Sequence, residues 1–175
     1  MRVRQLTTLL LLGASVASGT ACAGCSKKSE PSPSAKVEFS KVPLNVQLPA
    51  GWRQAQNSTD WLVYRPASEG AFVAMSGERS CSLVEKRLYS ALIELGLDQV
   101  VWQTAPRMTG IQGLSATVAQ GTAMEATHPS RLKYSLVRAK NNMGCLVTLV
   151  GYWQSKEAEF GAAADQIVRS VEPQK

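Results

Sequence analysis

Apolar and polar positions along the chain fall into three regimes. Residues 6–16 are almost wholly apolar, broken only by Thr7, Thr8 and the small residues Gly13 to Ser15. Residues 26–36, SKKSEPSPSAK, have nothing to bury. From Val37 to about Pro173, short β-rich runs alternate with two stretches of helical period. Residues 37–39 and 44–48 predict strands, the second ended by the turn cluster Pro49-Ala50-Gly51. Residues 60–65 and 71–75 predict a hairpin joined through Ser68-Glu69-Gly70. A helix is expected over 81–95. Val84, Leu88, Leu92 and Leu95 form its stripe, supported by Leu83 and Ile93, with Ser80 as N-cap and Gly96 as the left-handed stop.

The second half predicts strands at 100–103 and 113–118, on either side of a turn-prone segment 106–110. Two further strands are expected at 132–139 and 145–153. The loop between these, 140–144, carries Asn and Gly, which tolerate the positive φ of a hairpin. The run CLVTLV at 145–150 is apolar at both parities, which predicts a central strand covered on both faces. A closing helix is expected over 156–171, capped by Ser155, with Glu157 and Glu159 complementing its dipole. Phe160, Ala164, Ile167 and Val171 form its stripe, and Pro173 stops it. Strands, helix, strands, helix makes an α+β fold, an antiparallel sheet with helices packed on its faces.

The N-terminal 25 residues carry an export signal. Arg2 and Arg4 precede the apolar run, which is shorter than the roughly 20 residues needed to cross a bilayer. Ala23-Gly24-Cys25 resembles the lipobox of bacterial lipoproteins, with Cys22 where a Leu-like residue usually stands and Thr20-Ala21-Cys22 as a poorer second candidate. The resemblance implies cleavage after residue 24, acylation of Cys25, and a Pro/Ser-rich tether over 25–36 ahead of a single domain at 37–175. The expected address is the cell envelope, anchored to a membrane by lipid. Ser26, where an Asp would favour inner-membrane retention in enteric bacteria, leans the expectation to the outer membrane.

The domain's pattern is similar to the Mog/PsbP-like sandwich. The likeness rests on VPLNVQLPAGW at 42–52, LVYRP at 62–66, the helix at 81–95, Gly113 before a strand, YSLVRAKNNMGCLVTLVGY at 134–152 and IVRSV at 167–171. Members of that family act mainly by binding, so the resemblance implies a binding or assembly role and transfers no partner.

Charge and chemistry narrow the function classes. The chain carries +6, and removal of residues 1–24 leaves 17 basic against 13 acidic residues, or +4. The cations are scattered, with Lys27/Lys28 and Lys86/Arg87 as the only pairs noted, so no basic stripe for nucleic acid is expected. His128, in EATHPSR, reads as an exposed loop residue without a nucleophile motif beside it. No spacing suggests a metal site, a phosphate loop or a cofactor. Trp52, just after a turn, is the tryptophan expected to be partly exposed, while Trp61, Trp102, Trp153 and the tyrosines read as core. Cys81 and Cys145 are the two thiols left after export and acylation, and an oxidising compartment predicts a disulfide between them. The expected function is an envelope-anchored binding module with a protein or polymer partner. The alternatives are a hydrolase of envelope polymers and a carrier of a small hydrophobic ligand. Facing carboxylates across a cleft would mark the hydrolase, a deep apolar pocket the carrier, and a flat aromatic patch the binder.

Overall fold

The structure, a computed structural model, describes residues 34–57 and 60–175. The signal at 1–24, Cys22, Cys25 and the first part of the tether lie outside the described residues. Strands β1 (Ala35–Glu38), β2 (Leu44–Leu48) and β11 (Glu172–Pro173) form a small antiparallel sheet in the order β1-β2-β11. Ala35 and Lys36, expected at the end of the tether, already pair with Leu48 and Gln47 of β2.

The large sheet is built from β3 (Arg53–Asn57), β4 (Leu62–Arg65), β5 (Ala71–Glu78), β6 (Leu97–Trp102), β7 (Arg107–Ile111), β8 (Leu114–Glu125), β9 (His128–Arg138) and β10 (Cys145–Trp153). Its order is β3-β4-β5-β10-β9-β8-β6, every pairing antiparallel. Strand β8 is long enough to hold two partners on one edge. β6 pairs with its residues 121–125, and β7 with residues 114–118.

Strand β10 lies at the middle of this sheet and is buried from Cys145 to Tyr152. Its two-faced apolarity follows from having a layer on either side. Helix α1 (Cys81–Glu94) covers one face, where Val84, Ala91 and Leu92 meet Phe72, Leu132, Leu136, Val147 and Leu149. Helix α2 (Glu157–Arg169) and the small sheet cover the other, where Phe160, Ala164, Ile167, Val42 and Val46 share a core with Val73, Val137, Leu146 and Val150. Each fully buried Val, Leu, Ile or Phe among these stabilises by about 1.5–3 kcal/mol.

Local detail departs from the sequence pattern in identifiable ways. The segment 106–110 is not a turn. Its residues 107–110 belong to β7, and the chain reverses at Gln112 and Gly113, φ 49° and 74°. Two consecutive left-handed residues make the two-residue hairpin turn that matches strand twist, and Gly accepts that φ without steric cost. Likewise EATHPSR is not a loop. Only Ala126 and Thr127 turn, and His128 opens β9 opposite Glu125. Ser155 does not cap α2, because residues 154–156 form a 3-10 turn and no side chain caps the helix at Lys156. Ser80 stands at the N-cap of α1 with extended backbone, but its hydroxyl faces Ser82 Oγ at 2.9 Å instead of a backbone N–H. Leu83 and Ile93 lie off the buried stripe, Ile93 at 79% exposure. Val171 lies beyond the end of α2 and is fully buried, and Pro173 pairs with Leu44 in the small sheet. Strand β3, RQAQN, is exposed along its length and gave no apolar signal.

Candidate functional site

A cleft of about 580 Å³ opens between the β7–β8 end of the large sheet and the last turns of α2. That volume falls within the range of small-ligand sites. Strand alternation decides which side chains face it. Ile111 belongs to the core on the α2 side, so Thr109 and Arg107, two and four residues before it, share that side. Val118 and Gln120 of β8, Lys133 of β9, and Asp165, Val168 and Arg169 of α2 complete the lining on this side. The connector after β6 is pinned to the rim. Gln103 and Thr104 donate their N–H groups to Gln120 O at 2.9 and 3.3 Å, and Gln120 N–H donates to Thr104 Oγ1 at 3.0 Å.

The charges of the cleft are unequal in commitment. Lys133 is largely covered, its side chain 13% exposed, and its ammonium meets Asp165 Oδ1 at 2.8 Å. It also donates to Gly161 O at 3.4 Å and lies 5.8 Å from the centre of the Tyr152 ring. Tyr152 in turn donates to Glu157 Oε1 at 3.1 Å. Burial, followed by that hydrogen bond and the Glu157 charge, raises the tyrosine's pKa well above its ordinary value. Tyr134, next along β9 and turned to the α1 side, is raised by burial first and by Glu85 and Tyr89 after it. Arg107 and Arg169 are exposed, and neither side chain has an ion pair or hydrogen bond among the described residues. The cleft thus offers two uncommitted guanidinium groups beside one internally neutralised Lys–Asp pair, against apolar surface from Ile111, Val118 and Val168.

The sequence-derived candidates are placed as follows. Cys81 and Cys145 are joined as a disulfide, Cα to Cα 5.0 Å, tying the first turn of α1 to the start of β10. Trp52 is 8% exposed, contrary to expectation. It sits where the chain passes from the small sheet to the large one, and Phe160 of α2 packs edge-on against it at 6.3 Å and 74°. His128 is half-buried and stacked on Trp153, with centroids 3.8 Å apart and planes at 13°. Trp153 Nε1 donates to Glu125 Oε2 at 3.0 Å, and Arg65 pairs with Glu125 at 3.5 Å. These contacts clamp β4 to the β8–β9 turn.

Asp165 is the one carboxylate among the cleft's described lining, and it is bound to Lys133. No facing acid pair is available there for glycoside chemistry. The cleft is not wholly apolar, since Arg107, Gln120, Lys133, Asp165 and Arg169 line it. The tryptophans pack inside or against neighbours: Trp61 is 3% exposed, and Trp102 tilts on Tyr134 at 5.3 Å. Among the described residues no group of three or more His, Cys, Asp or Glu could hold a metal ion, and no helix is long and apolar enough to cross a membrane. The two arginines of the cleft escaped sequence reasoning. They stand 62 positions apart in the chain, and Pro106 and Gly110 disguised β7 as a turn.

No family model matches the sequence, and no curated protein matches it either. Solved structures do match. The solution structure of cyanobacterial PsbP (CyanoP) from Synechocystis sp. PCC 6803 superposes with a TM-score of 0.58 at 11% identity, covering 87% of this chain and 98% of that one. The Ran-binding protein Mog1p of Saccharomyces cerevisiae gives 0.50 at 10% identity, covering 81% and 96%. LpqN of Mycobacterium tuberculosis, involved in cell envelope biogenesis, gives 0.47 at 16% identity, covering 82% and 91%. At such identities the likeness speaks of architecture and not of ligand: the domain has the Mog/PsbP-like fold, an α+β sandwich of antiparallel sheet and two packed helices.

Proposed function

We propose that the chain is a lipid-anchored binding module of the cell envelope, and that it engages a protein partner through the cleft between β7–β8 and α2. The observation that carries the binding face is the pair of uncommitted arginines, Arg107 and Arg169, lining the same cleft. Charged groups that pair with nothing inside a fold are free to steer and hold a ligand of opposite sign. Export is supported by the signal-like residues 1–24 and by the Cys81–Cys145 bond, a feature of oxidising compartments. Anchoring is supported by Ala23-Gly24-Cys25. One acyl chain binds a membrane only marginally, so the mature form would carry two or three. In an organism with two membranes, Ser26 leans the destination to the outer one.

Two experiments test this reading. Radiolabelled palmitate should enter the wild type and Cys22→Ser, and be absent from Cys25→Ser. Label that persists in Cys25→Ser and vanishes in Cys22→Ser overturns the site. For the binding face, a photo-crosslinking amino acid is placed in living cells at Thr109, on the cleft, or at Lys86, on the exposed side of α1. A discrete adduct from position 109 and none from 86 is expected. Adducts from 86 alone, or from neither, would refute the cleft as the binding face.

A further inference from the structure

We infer that the cleft receives an extended acidic segment of the partner protein, which adds as a new strand to the open edge of β7. This rests on the cleft being the binding face and adds the chemistry of what binds there.

The first argument is the hydrogen-bond register. Ile111 and Leu114 flank the two-residue turn, and Thr109 faces Ala116 and Arg107 faces Val118. In an antiparallel ladder alternate pairs exchange both backbone hydrogen bonds, and the pair closing a two-residue turn is one of these. Ile111, Thr109 and Arg107 therefore bond to β8, and the peptide groups of Met108 and Gly110 point away from it. β6 does not reach them, since it occupies the other half of β8. Among the described residues β8 is the one strand that pairs with β7. Two N–H and two C=O groups are thus presented outward in strand geometry, the arrangement that peptide-strand addition uses.

The second argument is that this edge lacks the usual protection. Its opposite number, β3, carries a register shift between Gln54 and Gln56, a device that discourages pairing. β7 runs in register through all its pairs and contains neither Pro nor Lys. No atom lies within 4 Å of where a Cβ on Gly110 would stand, so the sheet face that Gly110 shares with Met108 is uncovered there.

The third argument fixes the chemistry. Side chains of an added strand would alternate between the two faces of the sheet. Those on the α2 side would lie beside Arg107 and Thr109 and across the cleft from Arg169. Those on the other side would lie beside Met108, which is 68% exposed. The fitting sequence has an acidic residue at every second position and apolar residues between. A second copy of this chain fits poorly, because edge-to-edge pairing would bring the arginines of both copies together in a chain that carries +4 beyond residue 24.

The test uses the full chain in detergent micelles and a blocked heptapeptide of alternating glutamate and valine, followed by fluorescence anisotropy. Saturable binding is expected, weakening as salt rises. Arg107→Glu and Arg169→Glu should each weaken it tenfold or more. The lysine–valine counterpart should not bind. N-methylation of alternate peptide amides should abolish binding, which probes the strand ladder without altering the protein. Met108→Pro removes an outward N–H, spares the bonds to β8, and should also weaken binding tenfold. No binding of the glutamate peptide, equal binding of its N-methylated form, or a salt-independent dimer in its place would overturn strand addition. A partner adduct from position 109 together with a silent glutamate peptide would sink this inference alone and leave the binding module standing.

Discussion

Removing the Cys81–Cys145 cross-link should cost the domain about 4 kcal/mol. The bond spans a sequence separation of 64 residues, and the chain-entropy relation for a loop of that length gives roughly 4 kcal/mol at room temperature. The attachment points make the constraint useful. Cys145 is fully buried at the start of the central strand, and Cys81 is the first residue of a helix that fully buries only Val84, Ala91 and Leu92. The perturbation is the double variant Cys81→Ala/Cys145→Ala. Alanine is chosen over serine because a hydroxyl at position 145 would be buried among apolar side chains. Urea unfolding of a domain of this size has a slope of about 2 kcal/mol per molar, so the midpoint should fall by about 2 M with the slope held. Wild type unfolded in reductant should drop to the midpoint of the double variant, which should itself ignore reductant. A fall below about 0.5 M, or a wild-type midpoint that reductant leaves in place, would refute the assignment of this stability to the bridge.

Two further outcomes follow from the core. The Ser135 and Thr148 hydroxyls, on cross-strand neighbours of β9 and β10, are buried and make no hydrogen bond within the described protein. Thr148→Val keeps the shape and removes one such group, so urea unfolding should show stability raised by about 1 kcal/mol, and a loss of that size would contradict the account. Tyr152, held protonated by burial and by Glu157, has a folded pKa above its unfolded value. Its contribution is complete below about pH 10 and falls as pH rises from there toward the folded pKa, because only the unfolded chain releases the proton. Urea midpoints from pH 8 to 11 should therefore decline less steeply in Tyr152→Phe than in wild type, and parallel declines would remove the tyrosine from the alkaline response.

The layers of this fold were legible because burial writes itself into period. CLVTLV at 145–150 pointed to a covered central strand, and Phe160, Ala164 and Ile167 to one face of a helix. Strands that bury little left little trace. β3 exposes every residue, and β7 exposes four of five while carrying Gly110 and following Pro106, so turn chemistry outweighed strand pattern. Trp52 misled for a related reason. A turn cluster precedes it, yet turns are exposed through their backbone, and the next side chain is free to point inward onto Phe160. The site was hidden more deeply, since a cleft is a relation between β7 and α2 that no local window contains.

The same geometry separates cations that hold the fold from those left over. Arg87 reaches across from α1 to Glu78 and also meets Asp60 at 3.0 Å. Lys41 shares Glu78, Arg65 takes Glu125, and Lys133 takes Asp165. Each of these joins two elements, and removing the acid would strand a charge in a partly covered place, which is costly. Other cations, such as Lys86, carry no partner among the described residues either, but they stand on the open surface, where such charges contribute little. Arg107 and Arg169 differ from both groups. They come from separate elements, open into one cleft, and stand over an apolar floor. Water leaves such a place more readily than it leaves an open surface, and an attraction between charges strengthens as it does. An acid supplied from outside gains more from this pair than from any single exposed cation, and among the described residues the cleft's own lining supplies only Asp165, already committed to Lys133.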